Sequence, residues 1–121
     1  MKIGSYYLIR HPSKKEDPIH GQRQEHVHFK IHLDKQKTLV SYVIPSKELN
    51  PLKKTYLIYL GRFDVSSALS SGKIIQKGSL EKMGPDEYKI DNQFIIKIFQ
   101  PPKFKKQKSK IFLVTYKSIK K

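Results

Sequence analysis

Three of the five histidines in the chain lie within seven positions, in the stretch EHVHFKIHLD at 25–34. A strand places residues i and i+2 on one face about 7 Å apart, so His26 and His28 could both bind one metal ion. His32 would lie about 20 Å from His26, at ~3.3 Å of rise per residue, which is too far to join them. The spacing therefore predicts a candidate divalent-metal site at His26 and His28, completed by a ligand from elsewhere. The alternative is a polar strand face exposed to water.

The triplet His26–Val27–His28 resembles the His-hydrophobic-His element of the HUH single-strand endonucleases, which include replication initiators, relaxases and small transposases. In that family the two histidines hold a divalent cation that polarises the scissile phosphate, and a tyrosine nicks the DNA. The resemblance implies a metal-dependent single-strand nuclease of a mobile element or virus. The family tyrosine lies on a helix, whereas Tyr116 in TYKSIKK has the pattern of a strand. We therefore assign no catalytic residue, and a binding function is favoured over an enzymatic one.

Positive charge dominates the composition. Lys and Arg number 25 against 10 Asp and Glu, which gives a net charge of +15, and only three of the 25 are arginine. A charge this large indicates a polyanionic partner, most often DNA or RNA. Lysine acts as a mobile point charge on phosphate, whereas arginine forks onto a base edge. We therefore expect a nucleic-acid-binding protein with weak sequence specificity. The alternative is a basic inhibitor or accessory protein that docks on an acidic protein partner.

The positive charge is concentrated in the C-terminal part. No acidic residue follows Asp91 in the last 30 positions, which contain nine lysines. Phe104 lies in KFKKQ, where we expect a loop, and is the candidate aromatic for stacking on bases. The predicted nucleic-acid contacts are Arg23, Lys30, Lys35, Lys37, Lys103, Phe104, Lys105, Lys106, Lys108, Lys110 and Lys117.

Short apolar segments separated by polar turns predict a mainly β fold, either a small barrel or a curved antiparallel sheet of about seven or eight short strands with one short helix. An α+β sheet is the alternative. HVHFKIHL and TLVSYVI form a predicted hairpin around DKQK. Pairing Leu33 with Thr38 places Val27 and Phe29 in the core and the histidines outside. A second hairpin is expected at Asp91–Asn92, and Asp64 is expected to cap the helix VSSALSS.

We expect a single small basic domain over 1–121, with a Lys-rich C-terminal segment at 103–121. No apolar run approaches the ~18 residues of a membrane span, and the start MKIGSYYLIRHP lacks the apolar core of a signal peptide. The absence of cysteine excludes disulfides and thiolate metal sites. These features predict an intracellular, cytoplasmic protein that needs no cofactor unless the histidines bind a divalent metal. An exposed sheet edge would allow a homodimer.

Overall fold

Residues 2–11, 26–44 and 56–119 are described by a computed structural model of the protein. Within them the chain forms β1 (Lys2–His11), β2 (His26–Leu33), β3 (Thr38–Val43), β4 (Tyr56–Asp64), α1 (Val65–Leu69), β5 (Lys73–Lys82), β6 (Glu87–Ile90), β7 (Phe94–Phe99), α2 (Pro102–Lys106) and β8 (Ile111–Ser118). The strands close into an antiparallel barrel in the order β1-β2-β3-β4-β8-β7-β6-β5. The prediction of a small mainly β barrel is confirmed.

The β2–β3 hairpin has the predicted register. Phe29 pairs with Tyr42 and Ile31 with Val40, because only this register places the apolar residues of both strands on one face. That face joins the packed interior of the barrel, which contains Tyr6, Leu8, Val27, Phe29, Ile31, Leu33, Tyr42, Ile44, Leu57, Leu80, Ile90, Ile96, Ile98 and Val114. Closure gives every described strand a neighbour on both sides, although β4 pairs with β8 only over its first three residues.

Strand β4 contains a bulge opposite β3. Ser41 pairs with Gly61 and Tyr42 with Tyr59, so Leu60 is the extra residue. Gly61 has φ 125°, a conformation that glycine adopts without steric cost. In a regular strand, residues three apart point to opposite faces. The bulge changes this phase and lets Leu60 and Phe63 face the same side of the sheet.

Helix α1 begins directly after β4, as the sequence predicts. The Asp64 carboxylate accepts hydrogen bonds from Ser66 Oγ at 2.6 Å and from the backbone N–H of Ser67 at 3.4 Å. These bonds satisfy donors that the first turn of a helix leaves without partners. Ala68 is buried on the side of α1 that faces the barrel.

The β6–β7 turn and α2 complete the described chain. Asp91 and Asn92 have φ 52° and 56°, which fits the tight hairpin turn expected there. The predicted basic loop after Pro101 is instead the helix α2, because Pro102 stands at its first position, where the fixed φ of proline favours a helix. Both helices have five residues, and in the described ranges no helix is long and apolar enough to cross a bilayer.

Candidate ligand pocket and basic surface

The outer face of the β2–β3 hairpin is buried, so the interpretation of it as a face exposed to water is wrong. His28 is 8% exposed, Lys30 3% and Ser41 0%. The same face carries Leu39 and Val43, both buried, and exposing them would lose the free energy of apolar burial. Helix α1 packs on β3 and β4 and covers part of this face.

A cavity of about 350 Å³ lies between this outer face and α1. It is called the outer pocket below. Strands β1 to β4, helix α1 and the turn after it all contribute to its lining. The polar lining residues are His11, His28, Lys30, Ser41, Asp64, Ser67 and Ser71, and the apolar ones are Leu60, Phe63 and Ala68.

The two histidines of the outer pocket stack on each other. The ring centroids of His11 and His28 are 3.9 Å apart with an interplanar angle of 24°. His28 pairs with Ile9 of β1, and His11 lies two residues further along that strand. The strand pairing therefore places both imidazoles on the outer face, where β1 and β2 meet.

Ser71 and His11 do not have the geometry of an activated nucleophile. Ser71 Oγ donates to the backbone carbonyl of Ala68 at 2.7 Å and lies 3.1 Å from His11 Nε2. With the hydroxyl proton directed at the carbonyl, Ser71 Oγ accepts from an Nε2–H of His11. A general base would have to accept that proton instead. The contact therefore fixes the ring and the turn after α1.

Lys30 faces the outer pocket, and no acidic residue in the described part of the chain pairs with it. Its Nζ lies 5.6 Å from the ring centroid of Phe63, and burial lowers the pKa of the amine from its ordinary value of 10.5. Lys30 was among the predicted phosphate contacts, and its burial separates it from the exposed lysines. Its Nζ can only meet a ligand that enters the pocket.

Ser41 supplies a buried polar atom to the same lining. Its Oγ has no hydrogen-bond partner among the described residues, and the residue is fully buried. Most buried hydroxyl groups in proteins are hydrogen-bonded, because a lost bond to water is costly. Ser41 belongs to the pocket lining, so a ligand that reaches this hydroxyl would supply the missing partner.

The metal site predicted at His26 and His28 stays a prediction. The side chain of His26 lies outside the described residues, and those residues contain no cluster of three metal-ligating side chains. His32 Nε2 lies 2.8 Å from the backbone carbonyl of Gln36 and donates to it, so His32 braces the β2–β3 turn. Tyr116 lies on β8, which does not adjoin β2 in the barrel. The nuclease expected from the resemblance likewise stays a prediction.

A second feature is the basic surface, which consists of the exposed residues Lys97, Lys103, Lys105, Lys106, Lys108, Lys110 and Lys117. Lys97 points outwards from β7, since its neighbours Ile96 and Ile98 point inwards. Lys117 of β8 pairs with Ile95, which is on the same face of β7 as Lys97, so Lys117 also points outwards. The other lysines lie on α2 and the segment before β8. The side-chain amide of Gln100 donates to the carbonyl of Ser109 at 2.6 Å, which holds the two ends of this connection together.

Aromatic side chains adjoin the basic surface. Phe99 pairs with Leu113 and Leu113 with Tyr56, so the three form a row across the outer face of β7, β8 and β4. Tyr56 is 40% exposed, and Lys97 Nζ lies 5.3 Å from the Phe99 ring centroid. Phe104, the predicted stacking residue, is half-buried on α2. Sequence reasoning missed Tyr56, because it stands in an apolar strand and only the pairing with β8 places it beside the lysines.

Of the remaining predicted nucleic-acid contacts, two lie on the described surface and one lies outside the described residues. Lys35 and Lys37 are exposed in the β2–β3 turn, where Lys35 has φ 69°. Arg23 lies outside the described residues. The outer pocket also contains three residues that the sequence did not single out for chemistry, His11, Ser41 and Phe63, since only the barrel brings their strands together.

Comparison of the chain with protein-family models, with curated proteins and with solved structures found no significant match. The outer pocket and the basic surface are therefore the observations on which a function rests.

Proposed function

We propose that this protein binds nucleic acid by contacting backbone phosphates with the basic surface. The observation that carries the proposal is the concentration of exposed lysines on β7, α2 and β8, in a part of the chain without any acidic residue. Glu87 stands opposite Lys97 on the neighbouring strand β6, and the other lysines of the surface lie in a segment without acidic residues, so their fields add. Phosphate contacts of this kind give affinity with little dependence on base sequence.

The shape of the basic surface supports contact with several phosphates. Lys117 stands opposite Ile95 and Phe99 stands opposite Leu113. Ile95 and Phe99 are about 13 Å apart at ~3.3 Å per residue. The lysines of α2 continue beyond Phe99, at the end of the hairpin. A nucleic-acid strand lying along this sector would therefore pass several lysines in turn.

The two aromatic residues of the row on the outer face, Phe99 and Tyr56, favour nucleic acid over an acidic protein as the partner. Unpaired bases stack on aromatic side chains, at about 1–3 kcal/mol per base and with little sequence preference. Tyr56 exposes 40% of its surface, in the row that ends at Phe99, the ring that Lys97 contacts. A partner rich in carboxylates would use the lysines but would gain little from Tyr56. The combination is thus better matched to a single strand of DNA or RNA.

The test measures binding of labelled single-stranded DNA, duplex DNA and RNA over a series of salt concentrations. A variant with Lys97→Gln and Lys117→Gln is compared with a control carrying Lys73→Gln and Lys77→Gln, two exposed lysines of β5. Both variants lose the same charge. On single strands each phosphate contact contributes about 0.7 to the slope of log K against log salt. We expect the first variant to lose about 1.4 from that slope and the control to lose much less.

Two results would overturn the proposal. One is that none of the three nucleic acids binds at low salt. The other is that both variants weaken binding equally, since net charge alone would then explain the affinity. Binding to an acidic protein that nucleic acid does not displace would also count against it and would favour docking on a protein.

A further inference from the structure

We propose that the outer pocket binds one nucleobase that carries an exocyclic oxygen, with Lys30 and Ser41 contacting that oxygen-bearing edge. The choice of a nucleobase among flat heterocycles rests on the proposed function. The preference for a flat, oxygen-bearing ring rests only on the pocket itself.

The size and the apolar walls of the pocket set the first limit on the ligand. Ligand pockets in proteins span about 300–1,000 Å³, so a volume of about 350 Å³ suits a small molecule. Leu60, Phe63 and Ala68 form an apolar part of the lining. Phe63 is 43% exposed, which leaves part of its ring open to contact. A flat ring can stack there, whereas a free phosphate would lose its hydration against apolar groups.

The polar groups of the pocket set the second limit. A lysine ammonium only donates hydrogen bonds, and a serine hydroxyl can donate one. Lys30 Nζ has no carboxylate partner and Ser41 Oγ no hydrogen-bond partner among the described residues. Both would therefore be satisfied by an acceptor on the ligand. An exocyclic carbonyl oxygen, as in guanine, hypoxanthine, uracil, thymine or cytosine, can accept from both donors at once through its two lone pairs, whereas adenine offers only ring nitrogens with one lone pair each.

The Asp64 carboxylate lies in the same lining as the Lys30 ammonium. Its oxygen is held by Ser66 and Ser67, and hydrogen bonds from both lower the pKa of this carboxyl, so it remains negatively charged. Lys30 and Asp64 contribute one charge of each sign to the lining, so the pocket does not need an anionic ligand to balance it and can take a neutral base. The phosphate and sugar of a nucleotide would then stay outside the pocket, on the solvent side.

The test compares inosine, which carries a C6 carbonyl oxygen and an N1–H, with adenosine, which carries a C6 amino group and an unprotonated N1, by isothermal titration and by amide shifts in NMR spectra. We expect inosine to bind at least about tenfold more tightly than adenosine, the equivalent of one hydrogen bond. Ser41→Ala and Lys30→Met should each weaken inosine binding by about tenfold. Lys77→Gln, on the exposed side of β5, serves as the control and should leave binding unchanged. The unfolding temperature of each variant shows that it has folded.

Oligonucleotides distinguish the two sources of the base. Single strands of deoxyadenosine with or without one central inosine are titrated against the protein and against Ser41→Ala. A preference for the inosine strand that Ser41→Ala removes would show that the pocket takes a base of a strand. Binding of inosine alone, without that preference, would support a free nucleoside as the ligand.

The proposal is overturned if neither nucleoside binds at millimolar concentration, if the two bind equally, or if Ser41→Ala leaves inosine binding unchanged. Its failure is distinguishable from failure of the proposed function. The double variant of Lys97 and Lys117 reports on the basic surface alone, and nucleosides without phosphate report on the pocket alone.

Discussion

The side-chain amine of Lys30 lies 5.6 Å from the ring centroid of Phe63, although β3 separates their two strands. The ring faces the amine with its π electrons, which attract a cation but do not replace a carboxylate. Lys30 is 3% exposed, so water is removed from most of its side chain, and no carboxylate of the described residues pairs with its amine. This arrangement costs stability, and the cost is explained if the amine serves a ligand.

Lys30→Met should leave the free energy of unfolding unchanged or raise it by about 1 kcal/mol at pH 7, because an apolar side chain of similar length replaces a poorly solvated charge. Burial lowers the pKa of the folded state below 10.5, so the unfolded chain binds more protons between the folded pKa and 10.5. Wild-type stability from this group therefore rises with pH through that window. Urea unfolding at pH 7 and pH 10 measures the effect.

The advantage of the methionine variant should shrink at the higher pH. A loss of more than about 1 kcal/mol at pH 7 would contradict the prediction, since it would mean that the charge is satisfied in the folded protein. Lys77→Gln provides the matched control on an exposed strand position, where we expect a change within about 0.5 kcal/mol.

The register of the first hairpin was predictable, and the burial of its outer face was not. Val27, Phe29 and Ile31 alternate with polar residues, which selects one register and one inner face. Phe63 and α1 bury Lys30, and no feature of the β2 sequence predicts this burial. Likewise, Gly61 is the only feature of the β4 sequence that indicates the bulge at Leu60. The pocket therefore depends on pairing between strands that are far apart in the sequence. Hydrophobic periodicity predicts only which face of a single strand points inwards.

The residues of the basic surface, too, could be predicted only in part from the sequence. Its lysines were predictable from their number and from the absence of acidic residues after Asp91. Tyr56 was not, because its strand pairs with β8 across more than 50 positions of sequence. The helix α2 had a local signal in Pro101 and Pro102, since proline favours the first position of a helix.

Ser41→Ala should stabilise the ligand-free protein by about 1 kcal/mol. The substitution removes a buried hydroxyl that has no partner among the described residues, and the desolvation cost of that hydroxyl disappears with it. Thermal and urea unfolding measure the change. Ser79→Ala, at an exposed position of β5, should have little effect. A destabilisation by Ser41→Ala would mean that the hydroxyl is bonded in the folded protein.

Asp64→Ala should loosen α1 and open the outer pocket, whereas Asp64→Asn should preserve the helix, because asparagine is an equally good cap. Hydrogen bonds from Ser66 and Ser67 lower the folded pKa of Asp64 below 3.8. The stability from this carboxylate is present above pH 3.8 and is lost as the pH falls through the folded pKa. Amide exchange in α1 between pH 5 and pH 2.5 measures the loss.

The pKa of Lys30 gives a second readout of the same variant. If Asp64→Ala uncovers the pocket, water reaches the amine and its pKa should rise towards 10.5. Asp64→Asn should leave it low. A low Lys30 pKa in both variants would contradict the view that α1 shields the amine of Lys30 from water.

Gly78→Ala should destabilise the barrel by about 1–3 kcal/mol, the usual cost of an added methyl group in a packed site. Tyr6 donates a 2.7 Å hydrogen bond to Asp91 Oδ2, and Asp91 Oδ1 accepts from the Ser79 N–H at 3.0 Å. These bonds join β1, β5 and the β6–β7 turn. A methyl group at Gly78 would overlap Asp91 Oδ1 and the ring of Tyr6, so the bonds would have to separate.

A double-mutant cycle tests whether the loss arises there. Tyr6→Phe alone should cost about 1 kcal/mol, because Asp91 Oδ2 loses its donor. In the Gly78→Ala background the bond is already displaced, so the same substitution should cost clearly less, and the two effects should not add. Gly84→Ala is the control, since a methyl group at Gly84 meets no atom within 4 Å. Additive effects would show that Gly78→Ala acts through β1 packing alone and leaves the Tyr6–Asp91 bond intact.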